Sequence, residues 1–196
     1  MLWFAPLSAL ILGYFLGSIP FGLVLTRFAG AGDIRGIGSG NIGATNVLRT
    51  GRKGLAGATL FLDGAKGAAA VLIAEAIQPG LGAMAGMAAF LGHCYPVWLR
   101  FRGGKGVATM LGIALALSWQ VGLVFAGVWL AALGLSRFSS VSGMAAAASA
   151  PIVATLIGRL DLTVLFLALA LIVIWKHRAN ITRLRLGTEP KAGARV

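Results

Sequence analysis

Uncharged, mostly apolar stretches of membrane length alternate along this chain with short clusters of charge. No charged residue precedes Arg27, none lies between Glu75 and Arg100, and none between Lys105 and Arg137. Another uncharged run separates Arg137 from Arg159, and a last one reaches from Asp161 to Lys176. A spanning helix needs ~20 mostly apolar residues. Each run therefore predicts membrane-crossing helix, and so do residues 54–78, although Asp63, Lys66 and Glu75 interrupt them. The stretch 106–136 is long for one helix and short for two. A turn near Ser118-Trp119-Gln120 places every basic cluster on one side of the membrane, as the positive-inside rule requires.

Pattern and charge together predict an all-α polytopic integral membrane protein. It has seven transmembrane helices, the N-terminus outside and the C-terminus cytosolic. The expected spans are 3–27, 54–78, 81–99, 105–118, 120–136, 140–158 and 161–177. The fourth holds ~14 residues, or about 21 Å of helix. That is less than a ~30 Å hydrocarbon core, so the fourth helix is short and needs cover from its neighbours. No basic residue precedes the first apolar run, and positive charge follows it. It reads as a retained helix rather than a signal peptide. One domain is expected over residues 1–196.

Composition narrows the partners. Hydrophobic residues make up 58% of the chain and charged residues 11%. A soluble domain is about 45–50% apolar and about 25% charged, so a water-soluble globule and a disordered chain are both excluded. Lys and Arg number 17 against 5 Asp and Glu, a net charge of +12. The polar surface is too small for a soluble nucleic-acid binder, so no nucleic acid is expected and the lipid bilayer is. One Cys excludes a disulfide framework. Two His, five acids and no H-E-x-x-H make a metal site unexpected. The 29 Gly fit close helix packing in lipid, and Gly82–Gly86 is one such pair.

Chemistry-bearing residues gather in the basic loops and the adjoining helix ends. Around Gly36, Gly38, Gly40 and Gly43, backbone N–H groups can turn toward an anion, and Arg49 can clamp a phosphate. A flexible loop with interfacial arginines is the competing reading. Gly103-Gly104-Lys105-Gly106 directly before a helix forms a second phosphate cradle, with the helix N-terminus adding positive potential. Cys94 beside it reads as packing more readily than as a nucleophile. Ser139, Ser140 and Ser142 follow Arg137 and either cap the helix starting near 140 or bind phosphate. His177 and Asn180 share a face if helical, within a basic tail that also anchors to anionic lipid. Asp63 and Lys66, at i,i+3 in the second helix, form a mutual ion pair or turn Lys66 toward the cytosolic site. The H-x4-D pair of acyl-CoA glycerolipid acyltransferases is absent: Trp98 and Thr182 stand at that spacing from His93 and His177.

Three segments carry a resemblance. They are Gly38-Ser39-Gly40-Asn41-x-Gly43-Ala44-Thr45-Asn46-x-x-Arg49, then His93-x-x-Pro96…Phe101-x-Gly103-Gly104-Lys105-Gly106-Val107-Ala108-Thr109, then His177-Arg178-x-Asn180-Ile181-x-Arg183-Leu184…Gly187-x-Glu189. In these, and over essentially the whole length, the chain resembles the bacterial membrane acyl-phosphate:glycerol-3-phosphate acyltransferases (PlsY family). Ile42 and Arg102 depart from the Pro and Lys common in that family.

The resemblance implies transfer of a fatty acyl chain from acyl phosphate to the 1-hydroxyl of glycerol 3-phosphate, the first step of phospholipid synthesis. The products are lysophosphatidic acid and inorganic phosphate. No cofactor and no metal are expected. The site faces the cytosol in the bacterial inner membrane, and a monomer suffices. By resemblance, Ser39, Arg49 and Lys105 are phosphate-site residues, while His177 and Asn180 hold and activate glycerol 3-phosphate. These five form the expected catalytic set. Gly38, Gly40, Gly103, Gly104 and Gly106 shape the cradles. Asn41, Thr45, Asn46, Thr109, Ser140, Ser142, Lys66, His93 and Glu189 complete the substrate-binding set. The rival from another class is a membrane transporter of an organic phosphate. It predicts a midplane site between repeated halves, and no convincing internal repeat stands in the sequence.

Overall fold

The computed structural model describes residues 3–194. Among them every regular element is helical: ten α-helices and two 3-10 turns. They are α1 (Phe4–Gly17), α2 (Phe21–Phe28), α3 (Ala44–Arg49), α4 (Lys53–Ile77) and α5 (Gly82–Cys94). After these come α6 (Val107–Leu117), α7 (Trp119–Ser136), α8 (Ser139–Leu156), α9 (Leu160–Lys176) and α10 (Arg178–Arg185). The chain divides into two compact units, Met1–Ile113 with Gly193–Val196, and Ala114–Ala192.

In the first unit α1, α4 and α5 pack together, and α2 and α3 pack on α4. Small residues make this possible. A Cβ on Gly13 or Gly17 of α1 would overlap the backbone of Ala85 or Ala89 in α5, and one on Gly92 would overlap Tyr14. Two helices approach this closely only where a side chain is missing, which is how packing replaces the hydrophobic drive that lipid cannot supply. Gly86 packs on Val71 and Ile113, as the packing reading of the Gly82–Gly86 pair expects, whereas Gly82 lies against the Glu75 side chain. Glu75 closes the α4–α5 turn by accepting N–H bonds from Gly80 (2.8 Å) and Gly82 (2.9 Å).

Where one span was expected over 3–27, helix is interrupted at Ser18–Pro20. Proline has no N–H to continue the ladder, so carbonyls are left to be satisfied. The Trp98 indole donates to the Ser18 carbonyl at 2.8 Å, and the Lys66 ammonium donates to the Ile19 carbonyl at 2.7 Å. The third span is also shorter than expected. α5 stops at Cys94 rather than near 99, and a 3-10 turn over Val97–Leu99 follows Pro96.

In the second unit α7 packs on α8 and α8 on α9. The break between α6 and α7 falls at Ser118, whose backbone is extended, so helix is interrupted within the long uncharged stretch. α7 buries only Val121, Gly122 and Phe125, while Leu130 and Leu135 are 63% and 89% exposed. A helix apolar on its outer face suits lipid, not water. Phe4–Phe28, Trp119–Ser136 and Ser139–Leu156 are long and apolar enough to cross a membrane. α9 with α10 makes a fourth candidate, bent by 54°.

Candidate active site

In the first unit the Gly-rich segment is organised by one amide. Asn46 sits buried in α3, a helix too short and too glycine-flanked to stand out in the sequence. Its Nδ2 donates to the carbonyls of Ile34 (2.8 Å) and Ile37 (3.0 Å). Its Oδ1 accepts from the Ser39 N–H at 3.2 Å and from Arg49 Nη1 at 3.2 Å. Ser39, itself exposed, and the buried Arg49 are thereby joined through a residue the sequence placed only among the substrate-binding set. Gly38 has φ +54, and a Cβ there would press on the Arg49 side chain and Asn46 Oδ1. Only glycine tolerates both conditions. Asn41 Oδ1 accepts from the Gly43 N–H (3.3 Å), Gly40 N–H returns to Ile37 (3.0 Å), and Thr45 lies half-buried in α3.

The second cradle is tied down differently. The Gly103 N–H donates to the Cys94 carbonyl at 3.2 Å and the Gly104 N–H to the His93 carbonyl at 3.0 Å. These two N–H groups thus anchor the loop to the end of α5, and the glycines shape the turn rather than offering donors from it. Gly106, at φ +87, lies against the Phe90 ring. Lys105 is half-buried, and Thr109 is fully buried on α6 with no hydrogen-bond partner for its Oγ1 among the described residues. Cys94 is fully buried, in keeping with a packing role.

Asp63 and Lys66 form the expected ion pair, at 2.7 Å. His93 joins them, with Nδ1 3.7 Å from Asp63 Oδ1, a contact from α5 to α4 that no spacing in the sequence signals.

The second unit gathers its polar groups around a carboxylate. Glu189 Oε1 accepts from Asn180 Nδ2 (2.6 Å) and from the Ser140 hydroxyl (2.7 Å), and Oε2 accepts from Arg183 Nε (2.7 Å). Burial would raise the Glu189 pKa, but the bonds from Asn180, Ser140 and Arg183 and the Arg183 charge hold it below the usual glutamate value. The capping reading of the serines fails. Phe138 is the N-cap of α8 without a side-chain bond, Ser140 turns to Glu189, and Ser142 donates to the Phe138 carbonyl at 3.0 Å. His177 and Asn180 do not share one straight helix, because the chain bends between α9 and α10 at His177. Both are buried. His177 Nδ1 lies 2.8 Å from the Val173 carbonyl. A carbonyl can only accept, so Nδ1 carries the hydrogen, and the lone pair of the neutral imidazole is at Nε2. Arg183 stands in the sequence only as part of a motif; its bond to Glu189 depends on a chain reversal after α10.

Among the described residues no group of three His, Cys, Asp or Glu could hold a metal ion. The clusters offer cations, amides and hydroxyls, a donor set suited to phosphate and polyol oxygens.

The glycerol-3-phosphate acyltransferase family model matches residues 7–187. A glycerol-3-phosphate acyltransferase of Mesorhizobium japonicum is 59% identical over 187 residues, covering 95% of this chain and 96% of that protein. One from Brucella anthropi is 56% identical over 189 residues, covering 96% and 94%. A crystal structure of PlsY (YgiH), an integral membrane glycerol 3-phosphate acyltransferase in its glycerol 3-phosphate form, superposes with a TM-score of 0.90. It shares 38% identity and covers 95% of this chain and 94% of that one. The lysophosphatidic acid form of PlsY gives a TM-score of 0.86 at 36% identity, with the same coverage.

Proposed function

The chain belongs to the glycerol-3-phosphate acyltransferase family, and on that premise we propose that it transfers a fatty acyl group from acyl phosphate to the 1-hydroxyl of glycerol 3-phosphate. The products are lysophosphatidic acid and inorganic phosphate. The observation that carries this reading is the family match across residues 7–187. The protein works as a single domain and as a monomer in the bacterial inner membrane. Seven helices span the bilayer, with the N-terminus outside, the C-terminus cytosolic and the chemistry at the cytosolic face.

Acyl phosphate is already activated, so no protein nucleophile is needed. The 1-hydroxyl oxygen bonds to the acyl carbon, and the bond from that carbon to the phosphate oxygen breaks. The hydroxyl proton passes to His177 or to phosphate. Ser39, Arg49 and Lys105 hold phosphate and stabilise the charge that grows as it leaves. Asn46 orients the first two, and Gly38, Gly40, Asn41 and Thr45 give that loop its form. Gly103, Gly104 and Gly106 shape the turn that presents Lys105, and Thr109 stands on the helix that follows. His177 and Asn180 hold glycerol 3-phosphate, with Ser140, Ser142 and Glu189 in support. Orientation of two bound reactants supplies much of the barrier reduction, since effective molarities can reach about 10⁵ M or more. The His177 tautomer supports a base at Nε2.

Purified protein given palmitoyl phosphate and glycerol 3-phosphate should release lysophosphatidic acid and phosphate in equal amounts. Absence of product across acyl chain lengths and detergents would overturn the reading. Uptake of labelled glycerol 3-phosphate into proteoliposomes without acyl donor would favour a transporter.

A further inference from the structure

Asp63, Lys66 and His93 form a polar island in the apolar interior of the first unit, with side chains 4%, 2% and 5% exposed. Burying three ionisable groups among α4 and α5 is costly, so the arrangement needs a reason beyond packing. Its contacts give one. The Lys66 ammonium donates to Asp63 Oδ1 at 2.7 Å and to the Ile19 carbonyl at 2.7 Å. Asp63 Oδ1 faces His93 Nδ1 at 3.7 Å. The other edge of the same imidazole lies on Gly104, where a Cβ would overlap Nε2, Cε1 and Cδ2. The Gly104 N–H in turn donates to the His93 carbonyl at 3.0 Å, and the Gly103 N–H to Cys94 at 3.2 Å. The residue next in chain is Lys105.

We propose that Asp63, Lys66 and His93 are positioning residues: through the His93 ring they fix the Gly103–Gly104 turn, and so set where Lys105 stands. The role of Lys105 in turnover rests on the acyltransferase reading; the mechanical link does not. Lys66 and His93 then act through the loop, not on substrate as the sequence suggested. Asp63 Oδ1, 3.7 Å from Nδ1 and beyond hydrogen-bond length, biases the imidazole through its charge at short range in a buried setting. Lys66 neutralises Asp63 and joins the same island to the helix break at Ile19. Glycine at 104 follows from the contact, because any side chain there displaces the ring.

The test is amide hydrogen exchange in the full-length protein in detergent micelles, comparing the parent with Asp63→Asn/Lys66→Met. The double change removes both charges together and leaves no unpaired buried ion, so folding is retained where Asp63→Asn alone fails. Exchange at Gly103 and Gly104 should rise about tenfold or more, while exchange in α1, α8 and α9 stays within about twofold. Unchanged protection at Gly103 and Gly104, or uniform loosening of every helix, would overturn the proposal. Turnover supplies a separate check. The double variant should lower kcat/KM about 10²-fold, the usual cost of a misplaced group, and much less in a Lys105→Arg background. Equal fold losses in both backgrounds would mean the island does not act through Lys105. Lack of turnover by the parent overturns the acyltransferase reading and leaves the exchange result standing.

Discussion

The two units solve one problem in opposite ways. In the first, the loop of Ser39 and Arg49 is organised by a neutral amide, Asn46, whose donors go to backbone carbonyls and whose acceptor faces the cation. In the second, a carboxylate collects donors from Ser140, Asn180 and Arg183. An amide cannot titrate, so the Asn46 hub is indifferent to pH while its Oδ1 accepts from Arg49 Nη1. A carboxylate gives stronger, charge-assisted bonds, at the cost of dependence on its ionisation. The first hub thus keeps its geometry at any pH, whereas the second keeps it only while its carboxylate is ionised.

The contrast can be broken most directly at the cations. Arg49→Ala and Lys105→Ala should each lower turnover by about 10³-fold or more, with normal insertion and circular dichroism. Near-normal rates in either would remove phosphate binding from the first unit. Next in size, Glu189→Ala should lower kcat/KM about 10²-fold and reduce stability by about 2–3 kcal/mol, because three donors lose their acceptor. Thermal unfolding together with steady-state kinetics reads both. Asn46→Ala should cost about 1–3 kcal/mol, seen in the same unfolding assay, because the Ile34 and Ile37 carbonyls each lose one of two donors and the Ser39 N–H and Arg49 Nη1 lose an acceptor.

Acid separates the hubs without mutation. The Glu189 pKa is lower in the folded protein than its ordinary value. Its contribution is therefore complete above the ordinary glutamate pKa and is lost as pH falls through the native one. Amide exchange in α8 and α10 should rise over that window, while exchange around Ser39 and Asn46 stays flat. Equal responses would mean that the carboxylate is not what holds the second cluster. The smallest effect is a control in the second unit. A Cβ on Gly134 of α7 meets nothing within 4 Å, so Gly134→Ala should change stability by less than about 1 kcal/mol. At Gly112, where the backbone of Gly64 lies against the missing side chain, the same exchange should cost more.

Local spacing explains what the sequence disclosed and what it hid. The break at Ser118 was expected because one helix over 106–136 would divide the basic clusters between the two sides. The Asp63–Lys66 pair was legible because i,i+3 on one helix brings side chains together. His93 reaches that pair only through the packing of α5 on α4, which glycines permit and no motif announces. The Gly103-Gly104 segment looked like a set of exposed donors; in the folded chain those donors close the turn. Ser140 looked like a cap because it follows Arg137 at a helix start, yet a carboxylate 49 positions further along competes for it. Uncharged length placed the long helices but not their breaks, the motifs named the polar residues, and long-range packing decided most of their partners.

The break at Ser18–Pro20 has a consequence for biogenesis. Two carbonyls there receive hydrogen bonds from the Lys66 and Trp98 side chains, the Ile19 carbonyl beside a bond from the Phe21 N–H, and both side chains are made well after α1. An unsatisfied carbonyl is tolerated beside water and penalised in hydrocarbon. The Ser18 carbonyl gains its indole donor only when Trp98 arrives. The bend therefore reaches its full hydrogen bonding only once α4 and the turn after α5 have been synthesised and docked, so completion of this region is timed by sequence that emerges later.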